Sequence, residues 1–509
     1  MKNAIRYLFI VVCMVVCLLP FAGMVVYPTN QTTENREMAV FPAVVLKNGK
    51  PNINFLQELG NYFGDHFAFR LELVSADAEI QSKVFQVSNA DSVIVGTDGW
   101  LYYASTVDDY LGKNIMSERG IKNIAYNLLL VQQYVEGKGA KFIFTVPPNK
   151  NTLYGENMPY YLQKKISNSG NIDILEQEIK KYGISYCDLF SLFKSQDEVF
   201  YLKRDSHWNN KGAVLVYNTL LGELGIGHDN FEDVWALRRK EEYGDLGQML
   251  YPLTAEPEWN NFYQKENVFS YVTDTKSVED TWIETANHAG KGQLLMFRDS
   301  FGNTLLPLMA DTFAKGYFSR GVPQNIAGYM ELYHPDVVIF EKVERNLKEI
   351  AVDPPILEGA VVGLGEDAEM VKSDTSLNIQ ESENDSSYLE VSGILDRQFC
   401  SADVEIYIRI RDDREQTVYK AFHVADEKSD YGYKLYLSRE KLSTKETIFE
   451  VVIKNGGKLQ TVQSFAAVNA GKNEKPKIVS KEKVYDCDGS GHGYYLIKWS
   501  DGTEEYEDF

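Results

Sequence analysis

Between about residues 115 and 350 the chain changes period repeatedly, and this alternation restricts the fold more than any other feature. "IKNIAYNLLLVQQYVEGKG" spaces its apolar residues as an amphipathic helix and ends in glycines, whereas "KFIFTVPPN" is a short continuous apolar run that reads as a buried strand. "DILEQEIKKYG" is again helical, "ISYCDLF" a strand, and "KGAVLVYNTLLGELG" a helix closed by Gly225. "GQLLMFRDSFGNTLLPLMADTF" passes from a strand through a turn into a helix, and "HPDVVIFEKVERNL" does the same. Continuous apolar strands separated by helices predict an α/β domain, a mostly parallel sheet covered on both faces. In such sheets ligands bind outside the carboxyl ends of the strands, so the residues that follow each apolar run are where chemistry is expected.

The flanks have a different texture. At 509 residues the chain exceeds one ordinary core, and a prior of roughly 150 residues per domain suggests about three units. "NINFLQELGNYFGDHFAFRLELVSADAEIQSKVF" has helical spacing with an expected break near Gly64, and Asp98-Gly99 in "SVIVGTDGWLYYAS" predicts a hairpin of the two-residue type. The α/β domain is placed at residues 55–372 and a polar linker at 373–388. Short segments such as "ADVEIYIRIR" and "TIFEVVIK" predict a β-sandwich-like domain over 389–470, and 471–509 reads as a loose tail or a hairpin.

Lys2 and Arg6 precede an apolar run from Tyr7 to Tyr27 without a charge, long enough to span a bilayer core that needs about 20 helical residues. A cleaved signal peptide is the alternative, but its apolar region is usually about 7 to 15 residues long, and Phe21-Ala22-Gly23 fits its small-x-small site poorly. Residues 1–28 therefore read as a cytosolic tail with a transmembrane signal anchor and 29–54 as a stalk. The positive-inside rule then puts the remainder outside the cytosol, anchored to the membrane, or secreted if the segment is cleaved. The net charge of −21 argues against wrapping a polyanion, so nucleic acid is not an expected partner. Of five cysteines, Cys13 and Cys17 lie in the apolar segment, and the spacing of Cys187, Cys400 and Cys487 matches no zinc pattern. A Cys400–Cys487 bridge stays open, although three thiols leave one over.

Chemistry concentrates in two short stretches. In "YLKRDSHWNNKGA", Asp205 and His207 are separated by one residue and can project the same way from an extended loop, so the carboxylate can orient the imidazole of a general base. The plainer alternative pairs Asp205 with Arg204 or a backbone amide and packs His207 and Trp208 under a helix that opens near Asn209 or Asn210. In "LLMFRDSFGN", Ser300 lies where a strand meets a helix, a position that exposes a nucleophile beside backbone amides able to hold an oxyanion. There the alternative is a helix cap by Asp299 or Ser300. Two strand-end sites in one domain, one with acid and base and the other with a hydroxyl, favour the catalytic reading of both.

"GTDGWLYY" at 96–103, "VPPNK" at 146–150, "RDSHWNNKGA" at 204–213, "YGDLGQML" at 243–250, "FRDSFGN" at 297–303 and "PDVVIFEKVER" at 335–345 together resemble the AlgX/AlgJ and DHHW group, SGNH-hydrolase-like proteins associated with polysaccharide O-acetylation. The resemblance covers about residues 55–350 and implies an SGNH-type α/β/α fold in which Asp-x-His precedes the serine. It makes Ser300 the nucleophile, His207 the general base and acid, and Asp205 the residue that orients it. This chain reads Asp-Ser-His-Trp where the group reads Asp-His-His-Trp, so the middle position departs while both triad members stay. Asn149 either donates its side-chain amide to the oxyanion or merely ends its strand with a turn. Asp245, Glu341 and Arg345 are expected to be structural, and His66 to be packing.

The resemblance further implies an extracytoplasmic O-acetyltransferase acting through an acyl-serine on an exported or cell-envelope polysaccharide, without metal or cofactor. Outside the membrane such an enzyme lacks cytosolic acetyl-CoA, so a membrane-bound O-acyltransferase is the expected acetyl donor. The same triad would serve a carbohydrate acetyl-esterase, and a non-catalytic glycan-binding envelope-assembly protein remains the alternative outside enzymes.

Overall fold

In the computed structural model of the chain, residues 2–24, 26–29, 38–46, 50–167, 169–365, 368–413, 415–425, 429–442, 446–468, 478–485, 493–499 and 504–508 are described. The chain divides into two compact units, one of Met1–Leu357 with Val424–Asp430, the other of Glu358–His423 with Tyr431–Phe509.

The apolar runs of the first unit become a seven-stranded sheet in the order Tyr186–Cys187, Lys141–Thr145, Val337–Glu341, Gln293–Phe297, Lys315–Ser319, Trp282–Ala286, Ser270–Tyr271. The first five run parallel, and the last two add antiparallel pairings, so the sheet is mixed. Register puts Met296 beside Phe318 on one side and Ile339 on the other, with Ile143 beyond. These four side chains enter one buried cluster with Val216 and Leu220 of helix Asn210–Glu223 and Leu305 and Met309 of helix Gly302–Ala310. On the other face Phe340 meets Phe144 and Phe297, with ring centroids 5.9 and 6.0 Å apart, and Phe297 meets Tyr329 of helix Ile326–Tyr333 at 6.2 Å. Burial on both faces is why these strands read as unbroken apolar runs, each large side chain contributing about 1.5–3 kcal/mol.

The expected break near Gly64 falls later. Helix Phe55–His66 runs through Gly64, and the chain turns at Phe69, whose φ is 61°, before helix Arg70–Ile80. Arg70 Nε donates to the Gly64 carbonyl at 3.0 Å, satisfying one acceptor that the helix end would otherwise leave open. His66 stacks on Tyr62 at 4.2 Å. The hairpin forms between Val93–Val95 and Leu101–Tyr103, but residues 96–100 connect it, with Asp98 and Gly99 both at positive φ and Gly96 N–H closing onto the Trp100 carbonyl at 2.8 Å.

The second unit holds a five-stranded and a four-stranded sheet that share a buried cluster including Val391, Ile408, Leu435 and Val451, and a separate three-stranded sheet. Asn378–Glu381, inside the stretch read as a linker, pairs with Tyr388–Ile394, and Ile478–Tyr485, Gly493–Trp499 and Glu504–Asp508 form the three-stranded sheet in the expected tail. Cys487, the second half of the suggested bridge, lies outside the described residues. At the N-terminus, Ile5–Gly23 lies in a helix long and apolar enough to cross a membrane, with a mean hydropathy of 2.5.

Candidate active site

The loop carrying Asp205 and His207 is held from several sides. An isolated bridge pairs Tyr201 with Trp208, and Asn209 N–H donates to the Phe200 carbonyl at 2.7 Å. The Asn209 side chain caps helix Asn210–Glu223 by accepting from Gly212 N–H at 2.9 Å, so the helix cap and the loop are one construction. The Trp208 indole is buried, packs 4.8 Å from Phe301 and donates to Thr304 Oγ1 at 2.6 Å. Beneath the loop the buried Lys150 ammonium donates to the carbonyls of Leu202 at 3.2 Å, Lys203 at 2.9 Å and Asp205. Burial pulls its pKa down to about 8 against the pull of Asp205, Asp245 and Glu258. Gly244 backs onto the loop so closely that a Cβ there would stand 2.3 Å from the Arg204 carbonyl oxygen.

Ser300 comes from the end of strand Gln293–Phe297. Asp299 shapes the turn, its Oδ1 accepting from Phe301 N–H at 2.9 Å and its Oδ2 from Val343 N–H at 2.6 Å, which ties this strand end to its neighbour. With Asp299 occupied by backbone, the Ser300 hydroxyl is spared from capping and meets His207 Nε2 at 2.8 Å. The Ser300 N–H has no acceptor among the described residues.

His207 completes the chain of contacts. Its Nδ1 is 2.8 Å from Asp205 Oδ1, which also accepts the His207 N–H at 2.8 Å, while Asp205 Oδ2 accepts from Asp245 N–H at 2.9 Å. Donation from Nδ1 to Asp205 leaves the Nε2 lone pair facing the serine hydroxyl, the tautomer a general base needs. Burial disfavours the imidazolium, but the Asp205 hydrogen bond and the charges of Asp205 and Asp245 outweigh it and raise the His207 pKa, with Arg345 opposing. Burial likewise works against the Asp205 carboxylate, and its hydrogen bond and ion pairing with His207 together with two backbone N–H donors hold its pKa below the usual range.

Asn149 has partners of its own. Its Nδ2 donates to Asp109 Oδ2 at 3.3 Å and its N–H to Glu344 Oε2 at 2.7 Å, and no hydrogen bond joins it to Ser300 or His207. Burial raises the Glu344 pKa to about 7 despite donation from Asn149 N–H and the Thr152 hydroxyl.

Asp205, His207 and Asp245 bring potential ligand atoms within 4.8 Å of one another. As they stand, the His207 ring nitrogens face Asp205 and Ser300, while Asp245 accepts from Ser206, so this donor set is engaged in the hydrogen bonds of the site itself.

Residues 93–290 match the family described as SGNH hydrolase-like domain, acetyltransferase AlgX. The resemblance to the AlgX/AlgJ and DHHW group therefore stands. The match contains Asp205 and His207 and ends before Ser300. Similar solved structures include Bacillus cereus PatB1 with a sulfonyl adduct, 17% identical over 51% of this chain and 97% of that one at a TM-score of 0.40. A DHHW family protein from Eubacterium siraeum is 14% identical over 50% and 91% at 0.39, and the O-acetyltransferase domain of Pseudomonas putida AlgJ 15% over 50% and 92% at 0.33. At such scores these likenesses carry neither fold nor chemistry alone. No curated protein matches the sequence.

Three residues acquire more weight than their sequence context suggested. Asp245, expected to be structural, places Oδ2 3.7 Å from His207 Nδ1. Lys150 ends the "VPPNK" stretch but shows no sign in sequence of gripping a loop over fifty residues away. Arg345, also expected to be structural, stands half-buried with its guanidinium carbon 5.5 Å from the Tyr103 ring centre and 5.9 Å from that of Phe301. Glu341 is fully buried, and burial with the nearby Asp299 carboxylate pushes its pKa well up, as expected of a group inside the fold.

Proposed function

We propose that this chain is an extracytoplasmic O-acetyltransferase that carries an acetyl group on Ser300 and delivers it to a cell-envelope or exported polysaccharide. The observation that bears most weight is the His207 Nε2 to Ser300 Oγ contact of 2.8 Å, continued by Asp205 on the other ring nitrogen. The match to an SGNH hydrolase-like acetyltransferase domain supports chemistry on acetyl groups.

In the first half-reaction the Ser300 oxygen attacks the acetyl carbonyl carbon while His207 Nε2 takes its proton. Collapse of the tetrahedral intermediate expels the donor's oxygen or sulfur, which receives that proton from His207. In the second half-reaction His207 takes the proton of a sugar hydroxyl, whose oxygen attacks the acetyl-serine carbonyl carbon, and collapse expels the Ser300 oxygen, which takes that proton back from His207. Asp205 keeps the ring in the productive tautomer and stabilises the transient imidazolium. The Ser300 N–H is available to the oxyanion, and the Asn149 amide, which donates one of its two Nδ2 hydrogens to Asp109, keeps a second for the same role. A membrane anchor at Ile5–Gly23 would hold the site outside the cytosol, with a membrane-bound O-acyltransferase handing over the acetyl group.

Incubation with an activated acetyl ester, followed by intact-protein mass measurement, should trap one acetyl group on the parent and none on Ser300→Ala. Adding candidate envelope glycans then separates transfer from hydrolysis: Ser300-dependent glycan acetylation is expected, and free acetate alone would make the chain an esterase. No acetyl-enzyme and no turnover would leave a non-catalytic role.

A further inference from the structure

We propose that Arg345 is a catalytic residue whose guanidinium binds the acyl carbonyl oxygen as it becomes an oxyanion above Ser300; this rests on the acetyl-transfer reading of the site. As the Ser300 Oγ to carbon bond forms and the proton passes to His207 Nε2, the carbonyl electron pair moves onto oxygen. That new charge needs donors that are already in place. The Ser300 N–H supplies one, and the side-chain amide best situated by sequence, Asn149, spends one of its two Nδ2 hydrogens on Asp109.

Arg345 lies in the short turn Glu344–Asn346 just after strand Val337–Glu341, the neighbour of the strand that ends at Ser300. Its guanidinium and the His207 imidazole flank the same ring, Phe301, at 5.9 and 4.8 Å, and Phe301 directly follows Ser300 in the chain. Other cations around the triad are occupied. Lys150 grips three loop carbonyls, Arg298 bonds Asn303 and the Val278 carbonyl, and Arg204 pairs with Glu256. Arg345 alone of these has neither a hydrogen-bond nor an ion-pair partner among the described residues, although it carries five N–H donors and is half-buried. Asp109, an acid that feels its charge, is already hydrogen-bonded by Asn114 and Asn149. A half-buried guanidinium with its N–H donors unspent is suited to an anionic partner.

The test uses the full-length protein in detergent with 4-nitrophenyl acetate, a neutral ester, so that charge on an acceptor plays no part. Arg345→Met is expected to lower kcat for acylation by about 10²–10³, the usual loss for one oxyanion donor, with KM little changed. Arg345→Lys should regain part of it. In Arg345→Met the His207 titration followed by NMR should move to higher pH, because the groups around the imidazole are Asp205 and Asp245, which raise it, and Arg345, which lowers it. An Arg345→Met protein with the parent's melting temperature and unchanged kcat would overturn the assignment; if that variant fails to fold, Arg345→Gln and Arg345→Lys decide by the same comparison. A parent whose acetyl release does not depend on Ser300 would overturn this inference together with the acetyl-transfer reading, whereas a Ser300-dependent parent indifferent to Arg345 overturns this inference alone.

Discussion

Ser206 and Asp245 hold each other through two hydrogen bonds, Ser206 N–H to Oδ1 at 2.7 Å and the Ser206 hydroxyl to Oδ2, and that same Oδ2 stands 3.7 Å from His207 Nδ1. The middle residue of Asp-Ser-His-Trp is thus the tether that brings a second carboxylate to the base. Removing this charge should weaken the imidazolium without spoiling the tautomer. Asp245→Asn is expected to shift the acidic limb of the kcat/KM profile to lower pH and to cost less than Asp205→Asn, since loss of the orienting carboxylate in a serine triad costs about 10⁴ in kcat. An unshifted limb in Asp245→Asn would remove Asp245 from the machinery.

The raised His207 pKa has consequences of opposite kinds for rate and stability. As a base His207 works neutral, so acylation should climb with pH through a limb above the ordinary histidine value of about 6.5. Folding, in contrast, favours the protonated ring: its contribution to stability is complete below the unfolded pKa and is lost as pH rises through the higher folded one. Thermal unfolding of parent and His207→Gln across this range should therefore show the largest gap in mild acid, narrowing toward alkaline pH. A gap that widens with pH would contradict the charge environment described for the ring.

Local pattern carried much of this site. Period switching marked the strands whose ends bear Ser300 and Arg345, and Asp205, His207 and Ser300 do converge although 93 residues separate base and hydroxyl. Asn209 caps its helix as its position beside the loop suggested. What stayed hidden depends on tertiary approach. Asp245 reaches the base because Gly244 lets two backbones touch, and Lys150 reads in sequence as an ordinary polar residue after a strand while its ammonium is spent on carbonyls brought over it. Asn149 has the right type and strand-end position for an oxyanion donor, and its hydrogen bond to Asp109 is a tertiary contact that pattern does not reveal. The helix break expected near Gly64 comes just after it, past His66, because an interior glycine costs only about 1 kcal/mol and Arg70 completes the helix end.

Gly244→Ala tests that backbone approach. The φ of −66° at Gly244 suits any residue, so the effect is steric: a Cβ would stand 2.3 Å from the Arg204 oxygen and 2.7 Å from the Asp205 nitrogen, both main-chain atoms. The loop must move, and a misplacement of about 1 Å can cost about 10² in rate. We expect such a loss in acylation. Gly222→Ala, in helix Asn210–Glu223 with nothing within 4 Å of its Cβ, should instead leave the rate unchanged and stabilise the fold by up to about 1 kcal/mol. Equal behaviour of the two variants would show that the loop is not clamped there.

Lys150→Met separates the support of the loop from its chemistry. The methionine fills a similar volume but withdraws the donor from the carbonyls of Leu202, Lys203 and Asp205, each orphaned acceptor costing about 1–3 kcal/mol, partly offset because a buried charge disappears too. At neutral pH the variant should be less stable and slower in acylation. The pH dependence has a definite sign. With the folded pKa near 8 and the unfolded one near 10.4, the unfolded parent binds more protons across that window, so Lys150 makes the parent more stable as pH rises through it. Denaturant titrations of parent and variant at about pH 7 and about pH 9.5 should therefore show the gap widening at the higher pH. A gap that stays unchanged would mean that the folded ammonium keeps its proton, and that its hold on the three carbonyls offsets the cost of its burial.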